Sequence, residues 1–318
     1  MNIVVLDGHA LNPGDLSWYG LEELGNLKVY DRTPPDLVLE RSEDADILLT
    51  NKTILTDDHL SGLPRLKYVG VLATGYNVIN VEAAKKSGII VTNIPAYSTE
   101  SVAQMTFALI LEFCNQVKMH SDSVMSGKWS ESTDFTYHLS PLIELSSKTI
   151  GIIGFGNIGK KVGKIAMSFG MEVIVNERSK KGRFEGKGIK NVGLKELLSA
   201  SDFVTIHCPL NKDSIGLINR NTLSMMKSSA FLINTSRGPI VSEIDLAEAL
   251  NEGVIAGAGL DVLSVEPPPY DNPLFKARNC IITPHIAWAT LEARSRLMEI
   301  AVGNVGAFIS GKNRNVVT

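Results

Sequence analysis

Residues 149–159 read TIGIIGFGNIG, in which an apolar run leads directly into three glycines with the spacing G-x-G-x-x-G. These glycines are Gly154, Gly156 and Gly159, and a helix-compatible segment follows them. A strand, a glycine turn and a helix in this order are typical of the turn that lays a dinucleotide pyrophosphate on a helix N-terminus. Because glycine has no Cβ, the turn can be tight, the backbone can approach phosphate closely, and the helix can pack closely on the strand.

An acidic residue at the end of the next strand-like run strengthens this interpretation. Residues 171–176 form that run, and Glu177 follows it, 18 residues after Gly159. An acid at this distance is expected to bind the hydroxyls of the adenosine ribose. The alternative, a tight turn in an α/β sheet that binds no ligand, explains the glycines but not the acid. The predicted dinucleotide site comprises Gly154, Gly156, Asn157, Ile158, Gly159, Glu177 and Arg178.

The length and composition are those of an ordinary globular protein. A chain of 318 residues predicts two domains, and a hydrophobic content of 44% is enough to form a large core. The formal net charge of −3 gives no reason to expect nucleic acid or an anionic membrane surface as a partner. No apolar run approaches the ~20 residues of a membrane span, and no basic leader opens the chain. We therefore expect a cytoplasmic protein without a nucleic-acid or membrane partner.

Three widely spaced cysteines, Cys114, Cys208 and Cys280, each lie beside apolar residues. Their odd number and their spacing predict reduced thiols in the core, and neither a disulfide framework nor a metal site. We expect no metal ion in the protein.

Two series of alternating strand-like and helix-compatible segments divide the chain. The first series has predicted strands at 3–6, 46–50, 66–72 and 88–92, and an amphipathic helix follows over 98–125. The second series opens with the glycine fingerprint and continues with predicted strands at 171–176, 203–207, 230–234, 255–262 and 280–283. A last amphipathic helix is predicted over 287–310. This order predicts an α/β fold in which a dinucleotide-binding Rossmann domain, residues 99–287, is inserted into a second domain, residues 1–98 and 288–318.

Three polar residues follow predicted strands of the second series. Arg237 precedes Gly-Pro, Glu266 precedes a run of three prolines, and His285 stands directly after a proline. Taken singly, they have ordinary structural explanations: a surface arginine on a loop, a solvated loop glutamate and a buried structural histidine. Taken together, they lie after strands whose carboxyl ends form the edge where open α/β sheets bind ligands.

The same three residue types suit the reduction of a 2-keto acid by hydride transfer. An arginine fork can hold the carboxylate and polarise the carbonyl. A histidine can protonate the developing alkoxide near neutral pH. A carboxylate beside that histidine holds its orientation and favours the imidazolium form.

The combination of motifs resembles the D-isomer-specific 2-hydroxyacid dehydrogenases. The motifs are the glycine fingerprint with its acidic partner, NTSRGP at 234–239, LDVLSVEP at 260–267 and TPHIAWA at 283–289. The resemblance extends from residue 66 to the C-terminal helix. It implies that Arg237 binds the substrate, that His285 is the catalytic acid and base, and that Glu266 orients and charges His285.

The resemblance implies further site residues and the fold of the second domain. The backbone N–H groups of Ala73, Thr74 and Gly75 would hold the substrate carboxylate, and the second domain would be a flavodoxin-like substrate-binding domain. The remaining cofactor-binding positions implied for NAD are His207, Cys208, Pro209, Thr235, Asp261 and His285, with Asp261 near the nicotinamide carboxamide.

Within the family, the chain is most similar to glycerate dehydrogenases, that is, hydroxypyruvate reductases. This similarity lies in Trp288, which we expect to contact the substrate, in GKW at 127–129 and in the insert 135–141. His138 departs from the tryptophan expected in that insert, so substrate preference stays open. We expect reversible NADH-dependent reduction of hydroxypyruvate or glyoxylate to D-glycerate or glycolate. The alternatives are a D-lactate-type dehydrogenase and a dinucleotide-sensing binding protein similar to the transcriptional corepressors of this fold.

Two further expectations concern assembly and the choice of cofactor. Residues 129–145 are rich in apolar side chains without a strand or helix period, which predicts a homodimer, unless the segment folds onto its own domain. Glu177 would repel the 2′-phosphate of NADPH, whereas Arg178, Lys180 and Lys181 could accommodate it. Because Glu177 stands at the strand end itself, we expect NADH to be preferred.

Overall fold

The computed structural model describes residues 1–177 and 188–318, and the chain divides into two compact units. The first, here called the split unit, consists of Met1–Ser98 and Trp288–Thr318. The second, the central unit, consists of Thr99–Ala287. Each unit is built on its own sheet of parallel strands.

The described residues form twelve strands. They are β1 Asn2–Val5, β2 Asn26–Val29, β3 Ile47–Thr50, β4 Tyr68–Val71, β5 Ile90–Thr92, β6 Thr149–Ile153, β7 Glu172–Asn176, β8 Ile189–Asn191, β9 Phe203–Ile206, β10 Phe231–Asn234, β11 Gly257–Leu260 and β12 Cys280–Ile282.

The described residues also form eleven α-helices, together with short 3-10 turns. The helices are α1 Tyr19–Glu22, α2 Val38–Ser42, α3 Asp57–Ser61, α4 Val81–Lys86, α5 Thr99–Asn115, α6 Val117–Met125, α7 Asn157–Ser168, α8 Leu194–Ala200, α9 Arg220–Leu223, α10 Glu243–Glu252 and α11 Leu291–Ile309.

The split unit has a five-stranded sheet in the order β2-β1-β3-β4-β5, which is the flavodoxin-like order. Successive side chains of a strand point to opposite faces, so an unbroken apolar run supplies two cores. Ile3 and Val5 pack on one face with Leu297 of α11, whereas Val4 packs on the other face with Leu60 of α3.

The central unit has a seven-stranded sheet in the order β12-β11-β10-β9-β6-β7-β8. From β8 to β11 this is the order of a Rossmann fold, which β12 extends by one strand. Two cores flank the sheet: Val204 and Leu232 pack on one face, and Phe203, Ile233 and α5 on the other. The predicted α/β class, with a flavodoxin-like and a Rossmann sheet, is confirmed.

Several predicted elements differ in extent from the structure. The single helix predicted over 98–125 is two helices, α5 and α6, because Gln116 between them has a left-handed backbone with φ of 44°. Strands β2 and β8 were not predicted from the sequence. The last helix begins at Leu291, where the side chain of Thr290 caps it, and not at residue 287.

Two findings concern other kinds of site. Among the described helices, none is long and apolar enough to cross a membrane. The described residues include no group of three His, Cys, Asp or Glu side chains placed to hold a metal ion. Cys114 is buried, Cys208 and Cys280 are partly buried, and none of the three is in a disulfide.

Candidate active site

Most of the predicted site residues of the central unit lie at one edge of its sheet. Strands β6, β9, β10, β11 and β12 are neighbours and run parallel, so the loops after them meet at their carboxyl ends. These five loops carry the glycine fingerprint, His207-Cys208-Pro209, Thr235 and Arg237, Asp261 and Glu266, and His285. An edge of this kind is where ligands bind in open α/β sheets.

His285 and Glu266 form a direct pair. Nδ1 of His285 lies 2.6 Å from Oε2 of Glu266, and 24% and 30% of the two side-chain surfaces are exposed. The other carboxylate oxygen, Oε1, accepts the backbone N–H of Leu263 at 3.1 Å. Because Nδ1–H donates to the carboxylate, Nε2 is the imidazole nitrogen left to exchange a proton with a ligand.

The buried carboxylate of Asp261 folds the turn that presents His285. Its oxygens accept the hydroxyl of Thr283 at 2.6 Å and the N–H groups of Ile286 and Ala287 at 2.9 and 2.8 Å. The N–H of His285 donates to the carbonyl oxygens of Asp261 and Thr283, and His285 has a left-handed φ of 54°. Burial raises the pKa of Asp261, and these hydrogen bonds oppose the rise. Asp261 thus has a structural task that the sequence did not indicate.

Arg237 lies in a loop that touches the Glu266 loop backbone to backbone. Nη1 of Arg237 donates to the carbonyl oxygen of Ser236 at 2.7 Å. The buried side chain of Asn234 donates to the carbonyl oxygen of Arg237 and accepts the N–H of Ser236. A Cβ on Gly238 would lie 1.9 Å from the carbonyl carbon of Leu263, so only glycine permits this contact.

The glycine loop is a tight turn whose backbone lies close to that of a neighbouring loop. Gly154 has φ of 88°, and a Cβ there would lie 2.6 Å from the backbone nitrogen of Cys208. A Cβ on Gly159 would lie 2.3 Å from the carbonyl oxygen of Gly154. At Gly156, the N-cap of α7, an added Cβ would meet no described atom within 4 Å apart from those of adjacent residues in the chain. The space in front of the helix is therefore open, and the N–H groups of its first turn can receive a pyrophosphate.

The acidic partner of the glycine loop lies against it. Oε2 of Glu177 accepts the N–H of Phe155 at 2.8 Å, and the backbone of Glu177 is held by the side chain of Asn191. Asn157 and Ile158 are the first residues of α7, and their part in binding phosphate stays a prediction. Arg178 lies outside the described residues, as do Lys180 and Lys181.

The remaining cofactor-binding candidates of the central unit are held by neighbouring loops and by α5. Nε2 of His207 pairs with the hydroxyl of Thr205 at 2.8 Å, while its Nδ1 is buried without a partner among the described residues. Burial lowers the pKa of His207 to about 3. The carbonyl oxygen of Cys208 accepts the hydroxyl of Ser236, and the hydroxyl of Thr235 pairs with Thr106 of α5 at 3.1 Å.

Four of the predicted substrate-binding residues belong to the split unit. Ala73, Thr74 and Gly75 form the loop after β4, which is tied to the chain after β5: Thr74 donates to the carbonyl oxygen of Ile94, and Asn93 donates to that of Thr74. Trp288 packs edge-on against Tyr97, with ring centroids 6.3 Å apart.

Comparison with protein families gives one match that covers more than half of the chain. The NAD-binding domain of the D-isomer specific 2-hydroxyacid dehydrogenases matches residues 107–287. This range contains the glycine loop, Glu177, Arg237, Glu266 and His285.

Known proteins are similar over nearly the whole chain. The hydroxypyruvate reductase of Blautia hydrogenotrophica is 50% identical over 320 aligned residues, covering 100% of this chain and 99% of that protein. The glycerate dehydrogenase of Methylorubrum extorquens is 40% identical over 91% of each chain. A solved acyclic imino acid reductase, in complex with NADPH and D-Arg, has a TM-score of 0.88 at 32% identity over the whole of both chains.

The low pKa of the partly buried His207 predicts a loss of stability in mild acid. Its pKa of about 3 in the folded protein is below the ordinary value, so the unfolded chain takes up a proton first as pH falls. Stability should therefore fall from about pH 6.5 downward, by about 2 kcal/mol between pH 7 and pH 5. The free energy of unfolding, measured in urea at pH 7 and pH 5, should therefore fall by about 2 kcal/mol less in His207→Gln than in the wild type. The exposed His138→Gln is the matched control and should behave as the wild type. Equal falls in all three proteins would contradict the prediction.

Proposed function

The chain belongs to the D-isomer-specific 2-hydroxyacid dehydrogenase family, and we propose that it reduces hydroxypyruvate, or the related glyoxylate, to the D-hydroxy acid with NADH. The family resemblance predicted from the motifs is thus confirmed. The observation that carries the proposal is the His285–Glu266 pair, at 2.6 Å, on the strand edge that also bears the glycine loop. The names of the two relatives, a hydroxypyruvate reductase and a glycerate dehydrogenase, support this substrate.

In this mechanism His285 handles the proton. NADH, when bound, supplies the hydride to the carbonyl carbon. The protonated imidazole donates its proton from Nε2 to the carbonyl oxygen as negative charge develops there. The Glu266 carboxylate stabilises the imidazolium and holds the ring at Nδ1. In the reverse direction, neutral His285 accepts the proton from the hydroxy acid.

The substrate is held by its charge. The guanidinium fork of Arg237 would bind the carboxylate and polarise the carbonyl. The backbone N–H groups of Ala73, Thr74 and Gly75 would bind the same carboxylate, and Trp288 would contact the rest of the substrate, as the family resemblance implies. No step requires a metal ion.

A panel of 2-keto acids tests the proposed function. Hydroxypyruvate, glyoxylate and pyruvate are compared by kcat/KM with NADH at fixed enzyme concentration. Preference for hydroxypyruvate or glyoxylate supports the proposal, while preference for pyruvate indicates a D-lactate-type enzyme. NADH binding without turnover of any of them would indicate a dinucleotide-sensing protein instead.

Arg237→Lys should impair the reaction although the charge is kept, because a point ammonium cannot reproduce the bidentate fork. We expect kcat/KM to fall on the order of 10²-fold, comparable to the loss of one oxyanion-hole donor. NADH affinity, measured by fluorescence titration, should not change. Arg278→Lys, an exposed arginine just before β12 at the opposite edge of the same sheet, is the matched control. A variant at position 237 with wild-type kcat/KM would make Arg237 an ordinary loop residue.

The choice of cofactor should depend on Glu177. Its carboxylate would repel the 2′-phosphate of NADPH, so we expect NADH to be preferred by roughly 10- to 100-fold in kcat/KM. Glu177→Ser should shrink or reverse that ratio. Glu177→Gln is the sharper variant, because it removes the charge while keeping an oxygen for the N–H of Phe155. The solved imino acid reductase holds NADPH, so use of NADPH by this chain is a real alternative. Equal use of NADH and NADPH by the wild type would refute the proposed preference for NADH.

We also propose that the protein is a homodimer, and its cytoplasmic location stays a prediction from the sequence. Part of the predicted segment 129–145 folds onto its own unit, since Leu145 is buried in the core there. The N–H of Leu139 donates to Nε2 of His120 of α6, and Tyr137 pairs with Ser123 of the same helix. Other apolar side chains of the segment are exposed, Phe135 by 89% and Leu142 by 58%. A second copy of the chain would cover this surface.

Sedimentation at micromolar concentration tests the dimer. The wild type should sediment at about twice the chain mass of 34.5 kDa. Phe135→Asp should give the monomer, because a carboxylate would be buried without a partner in the interface. Tyr270→Asp changes another fully exposed aromatic outside this segment and should leave the dimer intact. A wild-type monomer would contradict the proposal.

A further inference from the structure

A carboxylate outside the Arg237, Glu266 and His285 trio holds the loop that carries Glu266. Glu243 is the first residue of α10, and its Oε1 accepts the N–H of Ser264 at 2.5 Å. Its Oε2 accepts Nδ2–H of Asn272 at 2.7 Å. The two donors lie on either side of Glu266 in the chain, so one carboxylate closes the loop at both ends.

The side-chain amide of Asn272, which donates to Glu243, is held in one orientation. Asn272 is only 6% exposed, and its Oδ1 accepts the N–H of Leu274 at 3.0 Å. This second bond sets which way the amide faces, so its Nδ2 must point towards Glu243. The amide of Asn272 uses both its oxygen and its nitrogen in hydrogen bonds, so it is held in one orientation. Rotating it would leave a buried donor and a buried acceptor unpaired.

The contact at Ser264 is one residue away from the hydrogen bond that holds Glu266. The N–H of Leu263 donates to Oε1 of Glu266, and the backbone of Leu263 and Ser264 is also packed against Gly238. Glu243 and Gly238 therefore fix, from two sides, the short stretch of backbone that orients the Glu266 carboxylate towards His285.

We infer that Glu243 is a positioning residue, which acts on the reaction through Glu266 and the 2.6 Å contact with His285. The inference rests on the proposed function, since it assigns Glu243 a part in the same proton transfer. The simpler role for an acid in the first turn of a helix is to stabilise that helix through its dipole. This simpler role predicts lower stability of α10 with unchanged chemistry.

Glu243→Ala should lower kcat with hydroxypyruvate about 10- to 100-fold, in the range expected for a small misplacement of a catalytic group. NADH affinity should be unchanged. Glu243→Gln keeps one oxygen for Ser264 but presents an amide to Asn272, so its loss should be smaller. Glu248→Ala is the matched control: Glu248 lies on the same helix and pairs with Arg220, so kcat should stay at the wild-type value.

A double-mutant comparison separates positioning from general damage. If Glu243 acts through Glu266, adding Glu243→Ala to Glu266→Gln should change kcat by less than about twofold. A full, multiplicative loss in the double variant would overturn the inference, as would wild-type kcat in Glu243→Ala.

Hydrogen exchange gives a readout that does not depend on turnover. The amides of Leu263 and Ser264 should exchange at least about tenfold faster in Glu243→Ala than in the wild type or in Glu248→Ala. Unchanged exchange would overturn the inference. Absence of 2-keto acid reduction by the wild type would refute the proposed function, while the exchange result would still decide whether Glu243 holds the loop.

Discussion

The buried carboxylate of Asp261 is the group on which the rest of the candidate site depends. The carboxylate accepts hydrogen bonds from one hydroxyl and two backbone N–H groups of the turn around His285. The backbone carbonyl oxygen of Asp261 accepts the N–H of His285. A left-handed backbone is costly for a residue with a side chain, on the order of 1 kcal/mol. The hydrogen bonds to Asp261 offset that cost, and they keep the imidazole within reach of Glu266.

Close approach of backbones is the second constraint. Gly154 lies against the backbone of Cys208, and Gly238 against that of Leu263, at distances that exclude any Cβ. Loops from neighbouring strands can therefore share one small volume, and side chains from different strands can meet. Glu243 adds a second fixed point on the loop that carries Glu266. The geometry of the acid–base pair is thus set largely by groups that would never touch a substrate.

The parts predicted from the sequence were those with a local signature. The glycine fingerprint, the buried strands and the positions after strand ends all follow from nearby residues. Strands β2 and β8 lie at the edges of their sheets, so part of each is exposed and the apolar runs are weak. The break of the long helix at Gln116 could not be predicted, because no glycine or proline lies at that point of the sequence. The tasks of Asp261 and Glu243 depend on partners about 20 residues or more away, and no local pattern marks such contacts.

The candidate site residues are distributed over the two units according to their proposed roles. The glycine loop, the proton-transfer pair and Arg237 all belong to the central unit, and its parallel sheet fixes their spacing. The loop after β4, proposed to bind the substrate carboxylate, and Trp288, proposed to contact the rest of the substrate, belong to the split unit. The hydrogen bonds given above for Asp261, Glu266 and His285 are all formed with other residues of the central unit. Preference among 2-keto acids can therefore vary while the proton chemistry stays the same, and this is why the sequence fixes the reaction type more firmly than the substrate.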